Sequence, residues 1–200
     1  MSKESLIKYW KENFNFKEEI IEAFKEISRE DFIPVENREL AYQDIALPTF
    51  KAQTISQPTT VMIMTNELEI KPNQKILEIG TGSGYQSAIL SILVKPKGEI
   101  YTTEIVPELI DFAKDNLKNY KNIKIIKAKG LGYKKEAPYD RIIITAAAQE
   151  IPYKLLDQLN PNGIMIVPVG PQYSQQLLKI TNEKSLKIKN LGDFVFVPLR

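Results

Sequence analysis

Neither cysteine nor histidine occurs anywhere in the 200 residues. Without thiols there are no disulfide staples and no thiolate metal sites. Without imidazole, Ser-His-Asp and Cys-His nucleophiles are excluded, and with them most zinc sites. No metal is expected, and any catalysis must work without a histidine. Arginine is scarce as well: Arg29, Arg38, Arg141 and Arg200 are the full set, and the other cations are lysines. These lysines interleave with acids, as in Lys11-Glu12 and Lys17-Glu18-Glu19, and the net charge is only +2. A nucleic-acid reader shows a clustered basic stripe, so the pattern reads as a solvated surface and no nucleic-acid partner is expected. No apolar run approaches the length of a membrane span. The opening residues, Met1 to Trp10, lack the apolar core of a signal peptide. A cytoplasmic protein without a membrane partner is expected, and a monomer. At 43% hydrophobic residues the chain can form a core without staples, as one domain.

What is present centres on Lys75 to Tyr85, K-I-L-E-I-G-T-G-S-G-Y. Ile76, Leu77 and Ile79 have the branching of a short buried strand. Gly80, Gly82 and Gly84 follow at alternate positions, and Tyr85 to Leu93 has helical spacing. Strand, glycine turn and helix make the front of a nucleotide-binding βα unit. The turn suits a dinucleotide or S-adenosylmethionine. In the dinucleotide fingerprint the third small residue would fall at Tyr85, where a large ring obstructs helix–strand packing. The pattern is instead E-x-G-x-G-x-G from Glu78, which resembles motif I of the class I S-adenosylmethionine-dependent methyltransferases. Glu104 lies twenty residues past Gly84 at the end of the next strand. An acid there accepts ribose hydroxyls. Ser83, with nearby amides at the helix N-terminus, could hold the methionine carboxylate, and Glu78 sits where it could attract the ammonium.

Around this turn the spacing predicts helices over Ser5–Asn13, Lys17–Ile27, Thr59–Leu68, Pro107–Leu117 and Tyr153–Leu159. Strands are predicted over Glu99–Thr103, Ile123–Lys127, Arg141–Thr145 and Gly163–Val169. An antiparallel hairpin is expected after Gln176, and a last strand over Phe194–Val197. This alternation gives an α/β fold: a doubly wound, mostly parallel, Rossmann-like sheet with antiparallel C-terminal strands and an N-terminal helical extension. Residues 1–58 would carry the helices and a substrate loop, and residues 59–200 the cofactor-binding core. Residues 37–57 have no periodicity yet contain Tyr42, Ile45, Leu47 and Phe50, so the loop reads as functional.

The loop also carries a family signature. R-E-D-F-I-P (Arg29 to Pro34), A-Y-Q-D-I-A-L-P (Ala41 to Pro48) and Q-T-I-S-Q-P (Gln53 to Pro58) precede the glycine turn. A-P-Y-D-R-I, A-A-A, P-V-G and F-V-P-L follow it, ending at Leu199. The series resembles the protein-L-isoaspartate O-methyltransferase family over nearly the whole chain. The resemblance implies a protein repair enzyme that methylates the carboxyl group of L-isoaspartyl residues in proteins and peptides. Its cofactor would be S-adenosyl-L-methionine. Ser56 matches the family's active-site serine, in an orienting role, with Gln53, Thr54 and Ile55 on the substrate side. Glu78, Gly80, Thr81, Gly82, Ser83, Glu104, Ile105, Gly130 and Leu131 would bind the cofactor. The chemistry suits a chain without histidine. An α-carboxylate has a pKa of roughly 3.3–3.7 and is already ionised at neutral pH, so no general base is required.

The chain departs from the family pattern in three respects. Phe50 and Ala52 stand where glycines are usual before T-I-S. Lys129 stands where an aspartate would accept the adenine amino group, and a lysine ammonium has only donors. The histidine often found after T-I-S-x-P is missing. Phe50 and Ala52 leave room for a methyltransferase with another carboxylate or small-molecule substrate. Lys129 leaves room for a non-catalytic relative that binds the cofactor only.

Overall fold

A computed structural model describes residues 1–199. Seven strands form one sheet in the order β5-β4-β3-β6-β7-β8-β9. They are β3 (Lys75–Ile79), β4 (Glu99–Glu104), β5 (Ile123–Lys127), β6 (Tyr139–Ile144), β7 (Leu159–Val169), β8 (Gln175–Thr181) and β9 (Lys187–Phe194). β3 to β7 pair in parallel, whereas β7–β8 and β8–β9 are antiparallel. Helices α4 (Tyr85–Leu93) and α5 (Pro107–Leu117) carry the crossovers, and α6 (Tyr153–Leu156) is a single turn. The central strands read as apolar runs because both faces are covered: Ile76, Leu77, Ile142, Ile143, Met165 and Ile166 are buried. Strand order reverses at β3, with β4 and β5 on one side and β6 and β7 on the other. A crevice at the carboxyl ends of the strands is the general ligand site of such sheets.

Three helices precede the sheet: α1 (Lys3–Asn13), α2 (Glu18–Glu26) and α3 (Pro58–Glu67). Trp10 packs edge-on against Phe24 at 4.6 Å between ring centres, and both join a core cluster with Tyr85, Ala88 and Ile89 of α4. The Trp10 indole N–H donates to Thr59 Oγ1 at 2.7 Å. Asp44 caps the start of α3 from a distance, accepting from the Thr59 N–H at 2.8 Å and its hydroxyl at 2.6 Å. The irregular stretch between α2 and α3 is therefore tied to the start of α3 through Asp44. Within it β1 (Leu47–Pro48) and β2 (Thr54–Ile55) form a small antiparallel pair.

Two sequence expectations are corrected. The helix expected to reach Leu159 ends at Leu156, because Leu159 already pairs with Tyr139 in the sheet. Between Leu159 and Ile164 the partner on β6 advances only from Tyr139 to Arg141. Asn160 to Gly163 therefore bulge out, and this hid the strand's true start behind Pro161 and Gly163. The separate strand expected over Phe194–Val197 does not form. β9 ends at Phe194, and the Phe196 N–H goes to Gln175 Oε1 at 2.8 Å instead of a ladder. Val197 O then accepts from the Ala147 N–H at 2.8 Å. Among the described residues no helix is long and apolar enough to cross a membrane.

Candidate active site

The three turn glycines have positive φ, +96°, +53° and +88° for Gly80, Gly82 and Gly84, but they serve different ends. A Cβ on Gly80 would collide with Thr145 Oγ1, and one on Gly84 would come within 2.7 Å of the Leu117 side chain. Those two glycines allow close packing against β6 and α5. A Cβ on Gly82 would meet nothing within 4 Å. Gly82 lines a cavity of about 380 Å³ over the carboxyl ends of β3 to β6, a volume within the usual range for small-molecule sites. Gly130, at φ +157° and also unobstructed, lines the same cavity with Ile105, Leu131 and Lys129.

Glu104 ends β4 and its carboxylate is pre-oriented by backbone. Oε2 accepts from the Gly82 N–H at 3.0 Å, and Oε1 from the Ile105 and Val106 N–H groups at 2.8 and 3.0 Å. A carboxylate has about four acceptor sites, so roughly one remains for a ribose hydroxyl unless Gly82 gives up its bond. Ile105 and Leu131 are apolar yet substantially exposed at this cavity, which suits a flat ring laid between them.

Glu78 lies beneath the turn, fully buried, beside a small cavity of about 50 Å³ that it shares with Gly80, Thr81, Gly82 and Ser83. Its Oε2 accepts from the Ser87 hydroxyl, and Oε1 has no partner. Burial raises its pKa to about 8; the Ser87 bond opposes this shift and the charge of Glu104 adds to it. An orphaned carboxylate oxygen beside a glycine turn fits a ligand that brings an ammonium group. Taken with the ribose and ring features above, the residues fit S-adenosylmethionine.

A second cavity of about 510 Å³ adjoins the first and is lined by Ser56, Gln57, Thr60, Tyr173, Ser174 and the segment Asp193–Val197, among others. Thr54 and Thr145 line all three cavities, and Val197 lines both large ones. Arg29 holds the loop in place from behind. Its guanidinium is buried and donates to Ala41 O at 2.9 Å and to Ser56 O at 2.8 Å. It stacks 4.8 Å from the Tyr85 ring centre, with Nη1 and Tyr85 Oη left without partners. Burial pulls the arginine pKa down, and neighbouring Tyr85 opposes the shift.

All thirteen residues singled out from the sequence lie on these contiguous cavities. Gln53 and Thr54 face the first cavity, Ile55 only the small one, and Ser56 the second and the small one. Glu78, Thr81 and Ser83 touch only the small one; Glu104, Ile105, Gly130 and Leu131 touch only the first; Gly80 and Gly82 touch both of these. Sequence reasoning missed Thr145, whose hydroxyl bonds to Ile79 O at 3.1 Å and Gly80 O at 2.7 Å. Its place at the end of a buried strand beside the reversal point was the available signal. It also missed Arg29 as the anchor of the Ser56 carbonyl. Phe50 lines none of the three cavities and packs edge-on against Phe112 of α5 at 5.1 Å. Among the described residues no group of three acids could hold a metal.

A model of the family described as protein-L-isoaspartate(D-aspartate) O-methyltransferase matches residues 1–200. A protein-L-isoaspartate O-methyltransferase of Methanothrix thermoacetophila is 42% identical over 185 residues, covering 91% of this chain and 88% of that one. Two solved structures are each 26% identical over the whole chain. One, a protein-L-isoaspartate O-methyltransferase, superposes with a TM-score of 0.88 and is covered over 66% of its length. The other is a structure of that type from Plasmodium falciparum in complex with S-adenosyl-L-homocysteine, with a TM-score of 0.87 and 99% of its length covered.

Proposed function

This chain belongs to the protein-L-isoaspartate(D-aspartate) O-methyltransferase family, and from that premise we propose that it methylates the free carboxyl group of L-isoaspartyl residues in proteins and peptides, with S-adenosylmethionine as donor. The observation that carries this reading is the meeting of two cavities at Thr54 and Thr145. One has the glycine turn and Glu104; the other is lined by hydroxyls and, among the described residues, by no lysine or arginine.

When bound, S-adenosylmethionine supplies a methyl group on a sulfonium, which is already a good leaving group. Glu78 and Ser83 would hold its amino-acid end, Glu104 its ribose, and Ile105, Gly130 and Leu131 its ring. What remains for the protein is to bind and orient a carboxylate. That group is ionised at neutral pH, so no residue need remove a proton. Ser56, assisted by the Thr60 hydroxyl, would donate hydrogen bonds to one oxygen and leave the other free. Neutral donors suit this task better than a lysine, which would pair with the carboxylate and blunt its nucleophilicity. Thr54 and Val197 close the space between the two cavities, so the carboxylate would shed water as it enters. Arg29 would steady Ser56 through its carbonyl.

The test is methylation of two peptides that differ only in an aspartyl or isoaspartyl linkage, with labelled S-adenosylmethionine. Methylation of the isoaspartyl peptide alone is expected. Equal labelling of both would overturn the repair reading, and no labelling with the cofactor bound would overturn the enzyme reading.

A further inference from the structure

Among the described residues the substrate-side cavity holds a single formal charge, and its sign is opposite to what a carboxylate substrate calls for. Among the described residues lining it, Asp193 is the one acid, and none is a lysine or arginine. It sits on β9 opposite Gln176, one residue before the strand ends. The ion pairs of β8 and β9 run elsewhere: Lys179 and Lys189 reach Glu67, Lys179 also reaches Glu69, and Lys187 reaches Glu183. Asp193 has no ionic partner among the described residues.

The backbone on either side of the strand end is tied together next to it. Gln175 is buried, donates to Pro171 O at 2.6 Å and accepts from the Phe196 N–H at 2.8 Å. That one side chain ties the turn containing Tyr173 and Ser174 to the segment following Asp193. Beside the acid, Tyr173 is 75% exposed and Val195 67% exposed, both on the same cavity. An unpaired acid flanked by exposed apolar surface is the reception for a long cationic side chain, whose stem is apolar and whose head is charged. The same acid would repel a second acidic residue of the substrate, and specificity is commonly built from such a repulsive element together with an attractive one.

We propose that Asp193 is a specificity-determining residue that favours isoaspartyl sites flanked by lysine or arginine and disfavours those flanked by acids. The cationic head pairs with the Asp193 carboxylate while Tyr173 and Val195 cover its stem. The proposal rests on the methyltransferase reading above. Asp193 takes no part in holding the reacting carboxylate or the cofactor.

The experiment uses isoaspartyl peptides identical except for Lys, Gln or Glu at the residues flanking the damaged site. Wild-type protein, Asp193→Asn and Asp193→Lys are compared at low and high salt. For wild type kcat/KM should fall in the order Lys, Gln, Glu, with roughly threefold to tenfold between the extremes, carried by KM. The spread should shrink in high salt, flatten in Asp193→Asn and reverse in Asp193→Lys, with kcat for the Gln peptide unchanged in both variants. Equal kcat/KM for all three peptides, or a wild-type order kept by Asp193→Asn, would overturn this proposal alone. Failure to methylate any peptide would overturn the methyltransferase reading, and this one with it.

Discussion

Of the turns that require left-handed backbone, two beside the first cavity meet the requirement in opposite ways. The turn after β3 places glycine at each such position, Gly80, Gly82 and Gly84. The hairpin between β1 and β2 turns through Lys51 and Ala52 at φ +55° and +57°, closed by the Gln53 N–H on Phe50 O at 3.1 Å. Two-residue hairpin turns of this kind favour Asn-Gly for steric reasons. A residue with a Cβ costs about 1–2 kcal/mol in that conformation. The hairpin is held from outside: Lys51 Nζ reaches Glu108 Oε1 at 2.9 Å, and Phe50 packs on Phe112, both on α5. One turn follows from its own residues; the other depends on a neighbouring helix. Phe50 and Lys51, neither of which confers backbone freedom, clasp the loop to α5 beside the first cavity.

The glycine turn should break first. Gly80→Ala puts a Cβ against Thr145 Oγ1 at a φ that alanine resists. A loss of about 2–4 kcal/mol in chemical denaturation is expected, against about 1 kcal/mol for Gly82→Ala, where the space is open. Equal losses would erase the distinction between packing and cavity-facing glycines. On the loop side, Ser56→Ala should lower turnover by about tenfold to a hundredfold. Its cofactor affinity in calorimetry should stay within twofold of wild type, and unchanged turnover would remove Ser56 from the site.

Glu78 separates the regions by pH. Its carboxyl is raised from 4.5 to about 8, so between those values the folded protein keeps a proton that the unfolded chain has lost. Its contribution to stability therefore falls as pH rises from about 4.5 to 8 and is level above that. A ligand ammonium at Glu78 needs the carboxylate, so cofactor affinity should rise by up to about tenfold per pH unit below 8 and then level off. Titration calorimetry at several pH values checks this, and Glu78→Gln should flatten the profile.

Ala52→Gly should relieve the hairpin and raise stability by about 0.5–1 kcal/mol in thermal unfolding, the gain in native geometry being partly offset by a freer unfolded chain. A decrease would mean that the clasp on α5, not the backbone, dominates. The smallest effect is expected at the adenine end. Lys129→Asp restores an acceptor on the first cavity and should tighten cofactor binding roughly twofold to tenfold. No change would mean that the ring does not reach it.

Where signals were local, elements could be read from the sequence. Helices Tyr85–Leu93 and Pro107–Leu117 and strand Ile123–Lys127 have the bounds expected, because a glycine turn, an N-terminal proline and an isoleucine run each mark their own ends. The start of β7 was hidden because its bulge contains the residues that usually end a strand. The Phe196–Val197 backbone looked like a strand and was claimed instead by Gln175 and Ala147. Arg29 was visible only as part of a motif; that it holds Ser56 requires two segments 27 residues apart to meet.

By itself the sequence determined the glycine turn, the acid at the end of the next strand, the family and a chemistry that needs no imidazole. These depend on residue types at short spacing, where backbone sterics and charge act locally. Only the tertiary structure decided that Thr54 and Thr145 stand between two cavities, that Phe50 belongs to a clasp and not to a cavity wall, and that Asp193 lines the second cavity with no ionic partner among the described residues. Those facts depend on which surfaces distant segments bury against one another, and packing of that kind has no period along the chain.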